Sequence, residues 1–260
     1  MQAVNNLPRR DFYAIIISLA GITILSWIYL FNMAHEMSTA HPSCCLIPNK
    51  IHHWSLSYFW MMFLMWSIMM VGMMLPSAVP MILIYAGVAK KAKKEGNPVT
   101  PAFAFTFGYI LMWIVFSFAA TVIQWQMDRW VLLSPMMVSN SPRLGAIILI
   151  AAGIYQWLPV KNNCLKRCRS PFHFIADHWK PGFLGALQMG IEHGIFCIGC
   201  CWALMLLLFV GGVMNILWIS AITIFVLLEK VLPFGSAGGK VSGALMVILG
   251  IFLFLKSLGA

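Results

Sequence analysis

The chain has 260 residues, of which 61% are hydrophobic and only 9% are charged. A soluble domain carries about 25% charged residues, so this composition excludes an ordinary soluble domain and indicates a helical membrane protein. Its apolar runs reach about 20 residues, the length that crosses a bilayer core of ~30 Å, whereas a barrel would show short alternating segments. The net charge of +10 comes from residues between these runs, which indicates membrane topology and argues against a nucleic-acid partner.

The apolar runs predict an all-α, polytopic transmembrane bundle of about seven spans. They cover residues 12–31, 57–88, 102–124, 143–160, 182–210, 213–229 and 241–257. The second contains Pro76 and Pro80, and the fifth contains Gly190, Gly194 and Gly199. Both are therefore expected to be kinked or broken. The first run is too long for the core of a signal peptide, so we expect it to be a retained helix.

The basic residues predict the orientation of the chain. With seven spans, the basic N-terminus and three basic loops fall on one side, which the positive-inside rule assigns to the cytoplasm. These residues are Arg9, Arg10, Lys90, Lys91, Lys93, Lys94, Lys161, Lys166, Arg167, Arg169, Lys180, Lys230 and Lys240. We therefore expect one integral domain over residues 1–260 in the plasma (inner) membrane, with a cytoplasmic N-terminus, an outward loop at 32–56 and a basic cytoplasmic loop at 161–181.

The fifth run carries ionisable and soft side chains in a hydrocarbon setting. They are Met189, Glu192, His193, Cys197, Cys200 and Cys201. Such groups are costly inside a bilayer, so they predict a functional site. Steps of four from Met189 place the imidazole and the thiols of Cys197 and Cys201 on one helix face, which Cys200 approximately shares. Thiols and imidazole suit Cu(I) or zinc, and thiols alone also support redox chemistry. Glu192 is expected to pair with the imidazole or to accept a proton.

Methionines crowd the second run. Met62, Met65, Met69 and Met73 follow helical spacing on one face, and Met69 and Met73 are the strongest candidates for metal contact. Thioethers are soft ligands that a Cu(I) route would use. Packing by a flexible side chain explains the same pattern equally well.

Two segments outside the runs also contain candidate ligands. Cys164 and Cys168, followed by His173 and His178, approach a zinc-ligand spacing and predict metal docking or thiol exchange. The alternative is a basic loop at the lipid headgroups with incidental thiols.

The outward loop is the second of these segments. It contains His35, Glu36, Met37, His41, Cys44, Cys45, His52 and His53, which predict an external metal-capture loop. A plain solvated loop, or cysteines bonded to a partner in an oxidising compartment, are the alternatives.

Three motifs together carry a resemblance to a known family. The first contains Met65, Trp66, Met69, Met70, Met74, Leu75, Pro76, Ser77, Pro80 and Met81; the second contains Cys164, Cys168, Arg169 and Pro171; the third contains Met189, Gly190, His193, Gly194, Cys197, Gly199, Cys200, Cys201, Trp202, Met205, Met214 and Asn215. Over residues 60 to 255 the chain resembles a bacterial and archaeal family described as predicted metal-binding membrane proteins. The resemblance implies a multi-pass fold and a metal role.

The leading hypothesis is a membrane protein that binds a soft transition metal for transport, delivery or metalloenzyme assembly. Copper is the expected ion and zinc the alternative, with the bilayer and a metallochaperone or membrane metalloenzyme as partners. The chain lacks a phosphate loop, a zinc-protease motif and a nucleophile elbow, so an enzyme is not favoured. A transmembrane thiol–disulfide electron relay and an accessory subunit of a membrane enzyme complex are the competing hypotheses.

Overall fold

The computed structural model describes residues 7–40, 54–96, 98, 100–130, 142–232 and 235–258, with the side chains of 37–40 and 235–237 left out. These ranges contain helices and turns and no strand, which confirms the all-α prediction. The helices are α1 (Arg9–Ala40), α2 (Leu56–Lys94), α3 (Ala102–Arg129), α4 (Pro142–Tyr155), α5 (Pro159–Arg169), α6 (Pro171–His178), α7 (Gly182–Leu206), α8 (Leu208–Gly211), α9 (Ile216–Val231) and α10 (Gly235–Lys256).

Five segments of the described chain are long and apolar enough to cross a membrane. They are Arg9–Glu36, Leu56–Lys94, Ala102–Arg129, Gly182–Gly211 and Gly238–Lys256. The structure does not confirm seven spans. The predicted run 143–160 is divided between α4 and α5, which meet at 64° and count at most as one broken span. The run 213–229 forms α9, whose 16 residues measure about 24 Å, short of a ~30 Å core.

Neither of the expected breaks is present. Helix α2 continues through Pro76 and Pro80, and α7 continues through all three of its central glycines before it ends at Leu206. The glycines serve close packing between parallel helices. A Cβ atom added to Gly190 would lie 2.0 Å from the carbonyl oxygen of Phe105, and one added to Gly108 would lie 2.4 Å from that of Leu187. Small residues that let backbones approach are the usual contact between membrane helices.

The segments expected to be loops are partly helical. Helix α1 extends to Ala40, so the outward loop cannot begin at residue 32. Its remaining predicted ligands at positions 41, 44, 45, 52 and 53 lie outside the described residues.

The segment 161–181 differs most from its prediction as a loop. It forms most of α5 and all of α6, and both helices pack into the core through Leu165, Phe174 and Ile175. Each helix is short and carries charges between its apolar residues, which explains why the sequence resembles a loop.

Several helix ends meet at one level of the bundle. Tyr155, at the end of α4, donates a hydrogen bond to the carbonyl of Gly199, about two thirds of the way along α7. Trp157 donates to the carbonyl of Lys240 near the start of α10, and Arg169 donates to that of Leu232 after α9. On one side of this level α4 and α9 extend for about 21 and 24 Å through apolar sequence.

On the other side of this level, α2, α3 and α7 project further. They bring with them a set of basic residues: Lys90, Lys91, Lys93, Lys94 and the neighbouring Lys180. We call this the basic side. Between this level and those lysines, α2 and α7 continue through the largely apolar residues 78–89 and 182–198, so the level of Gly199 lies within the apolar length of both helices.

Candidate metal centre

Four cysteine sulfurs from two helices meet at the level of Gly199. The Sγ atom of Cys200 lies 3.9 Å from that of Cys168 and 3.3 Å from that of Cys201, and it donates to the carbonyl of Cys197 at 3.1 Å. We call Cys168, Cys197, Cys200 and Cys201 the thiol cluster. The three thiols of α7 are at most 1% exposed. The structure thus brings together the second and third sequence motifs, which are about 30 residues apart.

Helical spacing and one glycine explain the approach of α5 to α7. Cys164 and Cys168 are four residues apart and share the face of α5 that meets α7. A Cβ atom added to Gly199 would lie only 2.8 Å from the Sγ atom of Cys164. A side chain at position 199 would therefore displace the Cys164 sulfur, for which the glycine leaves room against α7.

An ammonium group contacts the cluster, and sequence reasoning missed it. Lys230 places its Nζ atom 2.9 Å from the Sγ atom of Cys197 and 2.9 Å from the Oγ atom of Ser77. Tyr109 places its hydroxyl 3.2 Å from the same sulfur and donates to the carbonyl of Met74. The sequence predicted that Lys230 lies in a loop, because it directly follows an apolar run. Its contact depends on how α9 packs against α2 and α7.

A buried ion pair holds the α5 end of the site. The Nζ atom of Lys161 lies 2.5 Å from Glu229 Oε1 and also donates to Gln156. The side chains of the pair are 2% and 3% exposed. Breaking such a pair is costly, because one charge is left buried and uncompensated. The pair therefore ties the first turn of α5 to the last turn of α9, next to Lys230. Sequence reasoning placed Lys161 in a loop and Glu229 near a span end.

His193 lies one turn before Cys197 on α7 and is 3% exposed. Its ring packs 5.6 Å from that of Tyr109 and 5.5 Å from that of Phe174. The Nδ1 atom is buried and has no hydrogen-bond partner in the described part of the chain. An unsatisfied buried polar atom costs about 1–3 kcal/mol, so a water molecule or a ligand bound at this nitrogen would be stabilising. Among the described residues, no hydrogen bond links the His193 imidazole to the thiol cluster.

Glu192 and Met189 turn away from the cluster. The Oε1 atom of Glu192 forms an ion pair with Lys180 at 2.8 Å, instead of the predicted pairing with His193. The thioether of Met189 accepts from the backbone N–H of Lys180 at 3.4 Å. Both residues therefore fasten the start of α7 to the segment before it.

The methionines of α2 face neighbouring helices. Met62, Met65, Met69 and Met73 are at most 2% exposed, so they do not face lipid. Met62 accepts a hydrogen bond from the amide of Gln124 at 3.7 Å. Among the described residues, no hydrogen bond connects Met69 or Met73 to the thiol cluster. Their burial fits packing as well as it fits a metal route.

The thiol cluster is close to the dimensions of a soft-metal site. Sulfurs around a tetrahedral zinc lie roughly 3.8 Å apart, because Zn–S is about 2.3 Å. The contacts of Cys200 at 3.3 and 3.9 Å are near this value. Within the described ranges, however, no three His, Cys, Asp or Glu side chains already surround a common point. Binding therefore requires rotation of the cysteine side chains.

A family model described as PpoB2, copper chaperone, matches residues 63–253 of the chain. The chain belongs to the PpoB2 copper chaperone family. The PpoB2 match begins in α2 and ends in α10, so it includes the thiol cluster, Lys230 and the buried ion pair, and it leaves out α1. Membership supports a metal-related family and a copper-related function. No curated protein and no solved structure matches the chain.

Proposed function

We propose that this protein is a membrane-embedded copper chaperone that holds Cu(I) between the thiols of α5 and α7 and delivers it to a metalloenzyme. The approach of Cys168 to Cys200, at 3.9 Å across 32 residues of sequence, is the observation that carries the proposal. Two helices that meet only in the folded protein contribute sulfur to one place. A specific metal site requires such an arrangement, in which the fold brings ligands together from distant parts of the sequence.

The available donors favour a soft or borderline ion over a hard one. Thiolates and imidazole select Cu(I) and zinc over hard cations. The two glutamates nearest the cluster, Glu192 and Glu229, are engaged by lysines. Cu(I) held by two thiolates has one net negative charge, and the ammonium of Lys230 at Cys197 would balance it. Charge balance matters here because an uncompensated ion next to hydrocarbon is costly.

The position of the cluster favours delivery over passage through the membrane. The cluster lies at the level where α4 and α9 end, between the basic side and the side to which these two helices extend. On the apolar side of this level the core is filled by large buried side chains such as Trp66 and Phe209, whose rings are 5.4 Å apart. Copper held at this level is separated from the face opposite the basic side by these packed side chains, and it is nearest to the surface at the half-buried thiols of α5.

A copper titration tests the proposal. The purified protein, reduced and in detergent, is titrated against a chromophoric Cu(I) chelator, beside Cys168→Ser, Cys200→Ser and Met205→Leu. We expect one tightly held Cu(I) per chain in the parent. The two serine variants should bind at least about tenfold more weakly, a difference of 1.4 kcal/mol. Met205→Leu is the matched control, because Met205 is a buried sulfur residue on α7 outside the cluster.

Two results would contradict the proposal. If the parent protein holds Zn(II) in preference to Cu(I) under the same competition, the four thiols form a zinc site. If the protein binds no metal and instead forms redox-dependent cross-links between Cys168 and Cys200, an electron relay replaces the chaperone.

A further inference from the structure

One thiol lies beside the cluster without belonging to it. Cys164 is half-buried, one helical turn before Cys168 on α5, and its sulfur rests against the backbone of Gly199. Cys197, Cys200 and Cys201 are all buried. A half-buried sulfur on α5 is thus positioned beside the buried sulfurs of α7.

The sulfurs lead from two half-buried thiols on α5 to buried thiols on α7. From Cys164 a turn of α5 leads to Cys168, whose sulfur is 3.9 Å from that of Cys200, and Cys200 contacts Cys201 at 3.3 Å. Residues four apart on a helix have Cβ atoms about 5–6 Å apart. Each step is short enough for an ion to be bound by the next sulfur before it leaves the previous one.

The surface around Cys164 is positively charged. Lys166 and Arg167 are exposed on the same helix, and Arg169 is partly exposed. Among the described residues of α5 and α6, the single carboxylate is that of Asp177, at the far end of α6. A Cu(I) complex with two thiolates is an anion, and so are the thiol carriers that bear carboxylates. Charge complementarity therefore favours an anionic carrier at this surface.

We propose that Cys164 is the exchange thiol at which an anionic thiol carrier of Cu(I) transfers copper to or from the thiol cluster. This inference rests on the proposed function and adds the route and the chemical class of the partner. It treats Cys164 as a transient ligand that controls the rate of exchange. The cluster remains the resident site that controls how much copper is held.

The exchange is balanced in atoms and electrons. The sulfur of Cys164 forms a bond to Cu(I) while one carrier sulfur leaves, and the proton of Cys164 passes to that carrier thiolate. Cys168 then forms the second Cu–S bond as the other carrier sulfur leaves with the proton of Cys168. Copper stays Cu(I) throughout and no disulfide forms. The ion next moves to Cys200 by the same replacement of one Cu–S bond by another.

Loading kinetics separate an exchange ligand from a resident one. Copper is supplied as its glutathione complex to the full chain in neutral detergent, and loading is followed by stopped flow. We expect Cys164→Ser to load about tenfold more slowly or worse, with the same final copper content and the same affinity as the parent. Gly199→Ala displaces the Cys164 sulfur without removing it, so it should also load slowly to the same final copper content. Gly21→Ala, which has open space around its Cβ, should load at the parent rate.

The charge of the carrier is tested independently. The parent should load faster from the anionic glutathione complex than from the cationic cysteamine complex, by about tenfold or more at low salt, and the preference should shrink as salt is added. Lys166→Glu/Arg167→Glu should reverse the preference. Equal rates from both carriers in the parent and in this variant would overturn the anionic partner.

The outcomes distinguish this inference from the function beneath it. If Cys164→Ser loads at the parent rate, exchange occurs elsewhere and the inference is wrong, while the chaperone function stands. If Cys164→Ser also lowers the affinity, Cys164 is a resident ligand, which again contradicts the inference. If the parent protein takes up no copper from either carrier, it is the proposed function that fails.

Discussion

The crossing of α3 and α7 makes Gly190→Ala a sharp test of the packing that supports the site. The added Cβ atom would lie 2.0 Å from the carbonyl oxygen of Phe105 and 2.8 Å from its carbonyl carbon. Ordinary contacts of this kind begin at about 3.5 Å, so the two helices would have to separate by roughly 1.5 Å. A backbone carbonyl cannot swing aside as the end of a flexible side chain can.

The expected cost follows from that overlap. Overpacking a close-packed interface costs about 1–3 kcal/mol, and occasionally more. For a chain of this size each kcal/mol lowers Tm by about 2–4 °C, so we expect a loss of roughly 4–12 °C for 2–3 kcal/mol or more. Thermal unfolding in detergent, followed by tryptophan fluorescence, measures it. Because Tyr109 on α3 contacts the sulfur of Cys197 at 3.2 Å, the variant should also bind Cu(I) more weakly.

Gly21→Ala provides the comparison for this variant. No atom lies within 4 Å of the position its Cβ would occupy, and it lies inside α1. Alanine is favoured over glycine in a helix by about 1 kcal/mol, so this variant should be as stable as the parent or more so. If Gly190→Ala melts at or above the temperature of Gly21→Ala, the close crossing of α3 and α7 is wrong.

Three further predictions concern charges and ligands at the site. Lys161→Met leaves Glu229 buried and unpaired, so the free energy of unfolding in detergent should fall by about 3–5 kcal/mol. The double variant Lys161→Met/Glu229→Leu should recover most of this loss. Equal stability of the single and double variants would argue against the ion pair. His193→Phe removes the unpaired nitrogen while keeping a ring, so Tm should stay the same or rise. Chelator competition should show weaker Cu(I) binding by this variant. Unchanged binding would exclude the imidazole as a ligand. Lys230→Met should weaken Cu(I) binding by about 10–100-fold, because the loss of a supporting contact to a metal ligand has an effect of this size. Unchanged Cu(I) affinity would show that the ammonium of Lys230 does not support the site.

Local periodicity was enough to predict that three of the candidate ligands share a buried helix face. Four-residue steps along the fifth apolar run placed His193, Cys197 and Cys201 on one helix face, and all three are buried in α7. The regular spacing of an α-helix makes this inference independent of the rest of the fold. The all-α class followed for a similar reason, because composition and run length depend on the bilayer alone.

The partners from other helices could not be predicted in this way. Cys197 is contacted by Lys230 and Tyr109, and Lys230 also contacts Ser77. These contacts form only because α2, α3, α7 and α9 pack together. A lysine at the end of an apolar run has the same local sequence whether it faces headgroups or a thiol. The pairing of Lys161 with Glu229 was hidden for the same reason.

The break predicted at the glycines of α7 rested on the wrong physical effect. The glycines of α7 suggested unwinding, whereas they make room for the backbone of α3 and for the sulfur of Cys164. Close approach and chain breaking both use glycine, and a single sequence does not distinguish them. The prolines of α2 lie within a continuous helix, as is common in membrane helices where neighbouring groups satisfy the backbone.

X-ray absorption at the copper edge of the reconstituted, copper-loaded protein tests the central claim most directly, because it reports both the oxidation state and the atoms bound to the metal. The thiol cluster predicts Cu(I) with two or three sulfur neighbours, and the loss of one sulfur neighbour in Cys168→Ser. A copper shell dominated by nitrogen or oxygen, or a sulfur shell that is identical in Cys168→Ser and in Cys200→Ser/Cys201→Ser, would contradict a copper site shared between α5 and α7.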